Sequence, residues 1–221
     1  MPPRPSPHRP LAARPSDKSA RKARGRPARS KAQIDDTRAA IAQSAMKLFR
    51  EEGYEAVSMR RLAQEAGCTV MTLYKYFDGK IDVLRYLWGQ VFGEMFDALD
   101  LLAARERNAE RRLDAIALGY VEFWLARRDR YFMVFMSSGV TQSDVSVFVA
   151  DDPVLPRFAL LRDSLATALG ARAGGAEITL KLDLLLCALN GIAHNLITIS
   201  AYPWSAPKKL VRAAVGAILK A

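Results

Sequence analysis

The sequence predicts an all-α protein of about nine helices, with a small helix-turn-helix domain ahead of a larger helical domain. Three observations predict it. Apolar residues recur at helical spacing along most of the chain after residue 36. No segment shows sustained strand alternation bounded by turns. Two short helical stretches, 58–65 and 69–76, are joined by a tight turn containing Gly67.

The elements follow in order. Residues 36–52 place Ile41, Ala45, Leu48 and Phe49 on one face, with Asp36 available as a cap and Gly53 able to end the helix in a left-handed conformation. Ser58 is a good N-cap for MRRLAQEA, and Thr69 for a short helix ending near Phe77. Asp78 is expected to cap a fourth helix running from Gly79 to about Leu102. Residues 109–127, 129–137, 156–169, 177–200 and 207–220 complete the set, the last opened by Pro207. The stretch 138–152 is the one long irregular connection, and its VSVFV is too isolated to build a sheet. The domains expected are a basic arm at 1–33, a helix-turn-helix domain at 34–84 and a helical domain at 85–221.

Charge is unevenly placed. The chain has 221 residues and a formal net charge of +10. Residues 1–33 hold ten Lys/Arg against the single acid Asp17, a net +9, whereas the remainder holds 23 basic and 22 acidic residues. Such an arm suits a polyanion, nucleic acid before membrane. Two cysteines and two histidines are too few for a disulfide framework or a His-rich metal centre, and a reducing cytoplasm is the expected compartment. Residues 184–202 lack charge over nearly a membrane-spanning length, yet Asn190, His194 and Asn195 interrupt them. Those polar groups are costly in lipid, so a buried or interface helix is expected and no membrane partner.

The segment CTVMTLYKYFDGK, residues 68–80, carries the functional signal. Leu73 and Phe77, four apart, are expected to face inward with Leu62, Ala63 and Ala66. Thr72, Lys75 and Tyr76 then point away, with Tyr74 at the edge. Hydroxyls and a lysine so placed suit phosphates and base edges, and the second helix of such a pair enters the DNA major groove. Lys80 stands near the positive end of the next helix, an awkward place for a cation unless a phosphate joins it there.

The run LFREEGYEAVSMRRLAQEAG followed by TLYKYFDGK resembles the DNA-binding domain of the TetR/AcrR family of repressors. The matching features are the apolar spacing, Gly53-Tyr54, Ala63, Gly67, Leu73-Tyr74, Phe77 and Lys80. Two positions depart from the pattern: Met71, where a small residue is common, and Ile81, where an acid is usual. The resemblance implies a cytoplasmic homodimer that binds a palindromic double-stranded DNA operator and is released by a small-molecule effector held in the C-terminal domain. It implies DNA contacts from Ser58, Arg60, Thr69, Val70, Met71, Thr72, Tyr74, Lys75, Tyr76 and Lys80. The alternative is a sequence-tolerant, nucleoid-type DNA binder driven by the arm.

Within the arm, Arg24-Gly25-Arg26-Pro27 matches the core of a minor-groove-reading hook, so Arg24 and Arg26 are candidate contacts. A generic basic arm explains the same residues equally well. For the effector, Phe92, Phe96, Tyr120, Trp124, Phe135, Asn190 and His194 are candidate lining, against the plainer reading that the rings are core and His194 is satisfied by a backbone carbonyl. Cys187, Asn190, Gly191, His194 and Thr198 share a helical stripe that suits a pocket wall or dimer seam. No H-E-x-x-H, G-x-S-x-G or Walker loop occurs, so neither an enzyme nor a cofactor is expected.

Overall fold

The first helix starts earlier than its apolar spacing suggests. In the computed structural model, which describes residues 30–141, 154–171 and 173–220, α1 spans Lys31–Glu52. Ser30 caps it: Ser30 Oγ accepts from the Gln33 N–H at 3.3 Å, and Gln33 Oε1 accepts from the Ser30 N–H at 3.1 Å. This reciprocal box replaces the expected cap at Asp36. The last residues assigned to the arm are therefore the first turn of α1. Arg24, Arg26 and the VSVFV stretch lie outside the described residues.

α1 buries Ile41, Ala42, Ala45, Leu48 and Phe49, and ends where Gly53 turns to φ +82° while its N–H donates to the Phe49 carbonyl. Then α2 (Met59–Glu65) begins at Ser58, whose Oγ accepts from the Arg61 N–H at 3.1 Å. Gly67, at φ +64°, makes the turn. α3 (Val70–Leu73) is capped by Thr69, which accepts from the Thr72 N–H at 3.1 Å. α3 is shorter than predicted. Residues 74–76 continue in tighter turns, with Lys75 donating to Thr72 and Tyr76 to Leu73, as Phe77 is drawn into the core.

α4 (Lys80–Arg105) has Gly79 as its N-cap and no side-chain cap. Asp78 does not cap it; instead the Asp78 N–H donates to Asp82 Oδ2 at 3.2 Å. α4 runs through both halves of the molecule, burying Val83, Leu84 and Leu87 near its start and Met95, Phe96 and Leu99 near its end. The remaining helices are α5 (Ala109–Ala126), α6 (Arg128–Phe135), a 3₁₀ turn (Leu155–Phe158), α7 (Ala159–Leu169), α8 (Gly175–Thr198) and α9 (Pro207–Lys220). α5 is the hub of this second half, packed against α4, α7, α8 and α9, with Leu113, Ile116, Ala117 and Tyr120 buried. Among the described residues there are nine α-helices and no strand. None of those helices is long and apolar enough to cross a membrane.

Candidate nucleic-acid interface

Packing sorts the candidate reading residues into two groups. Leu62, Leu73 and Phe77 are fully buried and fix α3 against α1, α2 and α4. Outward from them stand Ser58, Arg60, Thr69, Met71, Tyr74 and Lys75, all exposed. Met71 is 74% exposed, an unusual place for a large apolar chain that packs on nothing. Thr72 is half-buried and its Oγ1 lies 2.9 Å from Thr69 Oγ1. Tyr76 departs from the outward placement expected of it, and Val70, a DNA contact implied by the resemblance, is not exposed either. Both are half-buried and pack against the core, because the turn that buries Phe77 also rolls Tyr76 inward.

Lys80 is also placed differently from the expectation. Its ammonium donates to the Tyr54 carbonyl at 2.7 Å and the Glu55 carbonyl at 3.1 Å, and sits 4.3 Å from the centre of the Tyr54 ring. Burial lowers its pKa from the usual lysine value, and Glu55 partly restores it. Lys80 thus ties the start of α4 to the loop after α1. The helix start still offers backbone N–H groups to a phosphate.

Arg60 and its neighbour Arg61 part ways. Arg60 is exposed, whereas Arg61 bonds Glu52 at 2.7 Å and Glu65 at 3.0 Å. Lys47 joins the same carboxylate of Glu65 at 2.7 Å. The hydrogen bond from Lys47, followed by that from Arg61, holds the Glu65 carboxyl below the ordinary value. This network locks α2 to α1. The Arg61-Glu65 spacing of four was visible in the sequence; the partners on α1 were not.

The candidate effector residues divide as well. Phe92 and Phe96 pack with Phe158, at 6.2 and 4.8 Å between ring centres. Trp124 is buried among Phe92, Phe123, Tyr131 and Phe135, all within 6 Å of its ring. Phe135, by contrast, is 40% exposed. The Tyr120 hydroxyl donates to Asn190 Oδ1 at 2.7 Å, and the Tyr131 hydroxyl lies 3.0 Å from His194 Nδ1. His194 is therefore partnered by a tyrosine rather than a backbone carbonyl. Burial pushes the Tyr120 hydroxyl up to about 12. The rings chosen as lining fill space against one another, and open space occurs elsewhere. One cavity of about 330 Å³ lies between α1 and α6, bordered by Met46, Phe49, Tyr54, Phe132 and Met136. Another of similar size lies between α8 and α9, bordered by Gly191, Asn195, Trp204 and Leu210. Neither was legible in the sequence, because each wall comes from a different element. The expected stripe on α8 also splits: Asn190 and His194 turn inward, while Cys187 and Thr198 are exposed.

A capped helix pair with an outward polar face, rooted in an α-helical body by one continuous helix, defines a helix-turn-helix protein of two helical domains. Residues 41–87 match the family model of bacterial regulatory proteins, tetR family. The match contains both LFREEGYEAVSMRRLAQEAG and TLYKYFDGK, so the resemblance read from those runs holds. HTH-type transcriptional regulators of Staphylococcus aureus are 44% identical over 52 residues, which is 24% of this chain and 28% of each relative. The fold extends further. FadR, a fatty acid degradation regulator of Bacillus halodurans, superposes with a TM-score of 0.66 at 18% identity, over 83% of this chain and 94% of its own. FadR of Bacillus subtilis, solved with stearoyl-CoA, gives 0.67 at 14% identity over 82% and 97%. PfmR, a TetR-family regulator of Thermus thermophilus, gives 0.57 at 20% over 81% and 97%.

Proposed function

We propose that the chain is a homodimeric, DNA-binding transcriptional regulator of the cytoplasm, a repressor released from a palindromic operator by a small-molecule effector. The observation that carries the reading is the exposed face Arg60, Thr69, Met71, Tyr74 and Lys75, presented by α2, α3 and the turn after α3, with Ser58 and Thr69 as caps and Leu62, Leu73 and Phe77 buried beneath. Such a face fits a major groove, with Lys75 suited to guanine edges and Met71 to a thymine methyl. Phosphates fall to Ser58, Tyr74 and the backbone at the start of α4.

Two half-sites require two copies. The outer stripe of α8 supports pairing: Leu180 and Leu184 are 61% and 48% exposed, and Cys187 and Gly191 continue the line toward the cavity beside α9. Unpartnered leucines at helical spacing suit a helix-to-helix seam.

The test is selection of bound sequences from a random duplex library. A repeated, inverted motif is the expected outcome, with Lys75→Ala losing the enrichment. Recovery of no motif at all would replace this reading with the sequence-tolerant, arm-driven binder that the +9 of residues 1–33 favours. Deleting that arm separates the two readings: a regulator keeps its motif with weakened affinity, whereas an arm-driven binder stops binding.

A further inference from the structure

Among the described residues, Arg38 forms no ion pair. It lies on α1, two turns from the cap at Ser30, and is half-buried. Its guanidinium carbon sits 5.0 Å from the centre of the Phe77 ring and 5.1 Å from that of Tyr86. Those two rings meet edge to face at 5.6 Å, so the guanidinium caps the pair. Nε is buried and makes no hydrogen bond. The guanidinium can therefore bond only through its two terminal amino groups. Asp35 and Asp36 on α1, Asp78 just before α4 and Asp82 on α4 do not pair with Arg38, and Asp82 accepts from the Asp78 N–H. Other cations of the domain that lie against its surface are paired: Lys47 and Arg61 share Glu65, and Lys80 has two carbonyls.

We infer that Arg38 is a phosphate-binding residue of the DNA interface, aimed by Phe77 and Tyr86. The inference rests on the DNA-binding reading above. Ring faces attract a cation, but they supply no conventional hydrogen-bond acceptor for its N–H groups. A partly buried guanidinium held on two rings, with no acceptor among the described residues, is matched by an anion with two oxygens to offer, which a backbone phosphate provides. Its position agrees. Phe77 closes the turn that carries the exposed Tyr74 and Lys75, and α1 receives the chain from the basic arm. Arg38 thus stands between the turn after the reading segment and α4. Ile81 in the first turn of α4 leaves the site without a competing carboxylate at that position.

The experiment measures affinity for a selected operator and for random duplex across a series of salt concentrations. It uses wild type, Arg38→Met and, as a control for net charge, Arg50→Met on the exposed end of α1. Methionine keeps an apolar chain on the rings, so urea unfolding of Arg38→Met should stay near wild type. The expected result is a loss of about tenfold per head on both DNAs alike, as for a charged hydrogen bond. The salt slope should flatten by about 0.9 per head. Arg50→Met should change neither. Unchanged affinity and slope in Arg38→Met would overturn the inference and leave Arg38 a packing residue, as would equal losses in both variants, which signal net charge alone. Arg38→Gln gives the same reading if the methionine variant fails to fold. Wild type that binds no DNA would instead refute the proposed function.

Discussion

An ammonium that donates to two backbone carbonyls has different consequences from one reaching into solvent, and Lys80 illustrates it. Lys80→Ala is expected to leave the Tyr54 and Glu55 carbonyls short of a donor, costing about 1–3 kcal/mol in urea unfolding. Any loss of DNA affinity should follow from that loosening and disappear at low denaturant and low temperature. Tyr76 and Lys75, adjacent in sequence, should separate in the same way. Lys75→Ala should relax sequence preference, costing about 1–3 kcal/mol on the operator and less on random duplex. Tyr76→Ala should chiefly lower the melting temperature, since its ring is packed against the core. If both variants lost only specificity, Tyr76 would belong to the reading face after all.

Between elements, the turn at Gly67 sets how α3 is presented. At φ +64° it holds a conformation that a β-carbon disfavours, although open space surrounds it. Gly67→Ala should cost about 1–2 kcal/mol by thermal melting through backbone strain alone. At the seam proposed on α8, Leu184→Glu should shift the protein to monomer in sedimentation, while the fold is retained because Leu184 is 48% exposed. How far such elements could be read in the sequence depended on whether their signal was local. Caps at Ser58 and Thr69, the turn at Gly67 and the inward pair Leu73 and Phe77 were legible, since each rests on a few neighbouring residues. The start of α1 was obscured because its capping box lies inside a run of basic residues. Lys80 was misplaced because its partners lie 25 and 26 residues away. Arg38 passed unnoticed because its two rings come from two other elements.

For the molecule as a whole, the buried polar links of α5 and α6 to α8 govern its response to alkali. Tyr120 has its hydroxyl pushed up to about 12 by burial, above the free value of 10. The folded state therefore keeps a proton that the unfolded chain gives up first. Stability from this group is complete below pH 10 and is lost as pH rises from there through about 12. Melting temperature should fall across that window, and Tyr120→Phe should flatten the fall, at the expense of an unpaired Asn190 at neutral pH. The same framework bears on how far apart two reading heads can stand. α4 is one uninterrupted helix of 26 residues, about 39 Å long, beginning three residues after Phe77 and running on into the second domain as far as Arg105. A rigid rod of that length magnifies angle into distance: a tilt of about 5° at one end displaces the other by about 3 Å. That displacement matches the rise of one base step along DNA, about 3.4 Å. In the proposed dimer, a tilt of that size is thus enough to put a head out of step with its half-site by a full base pair.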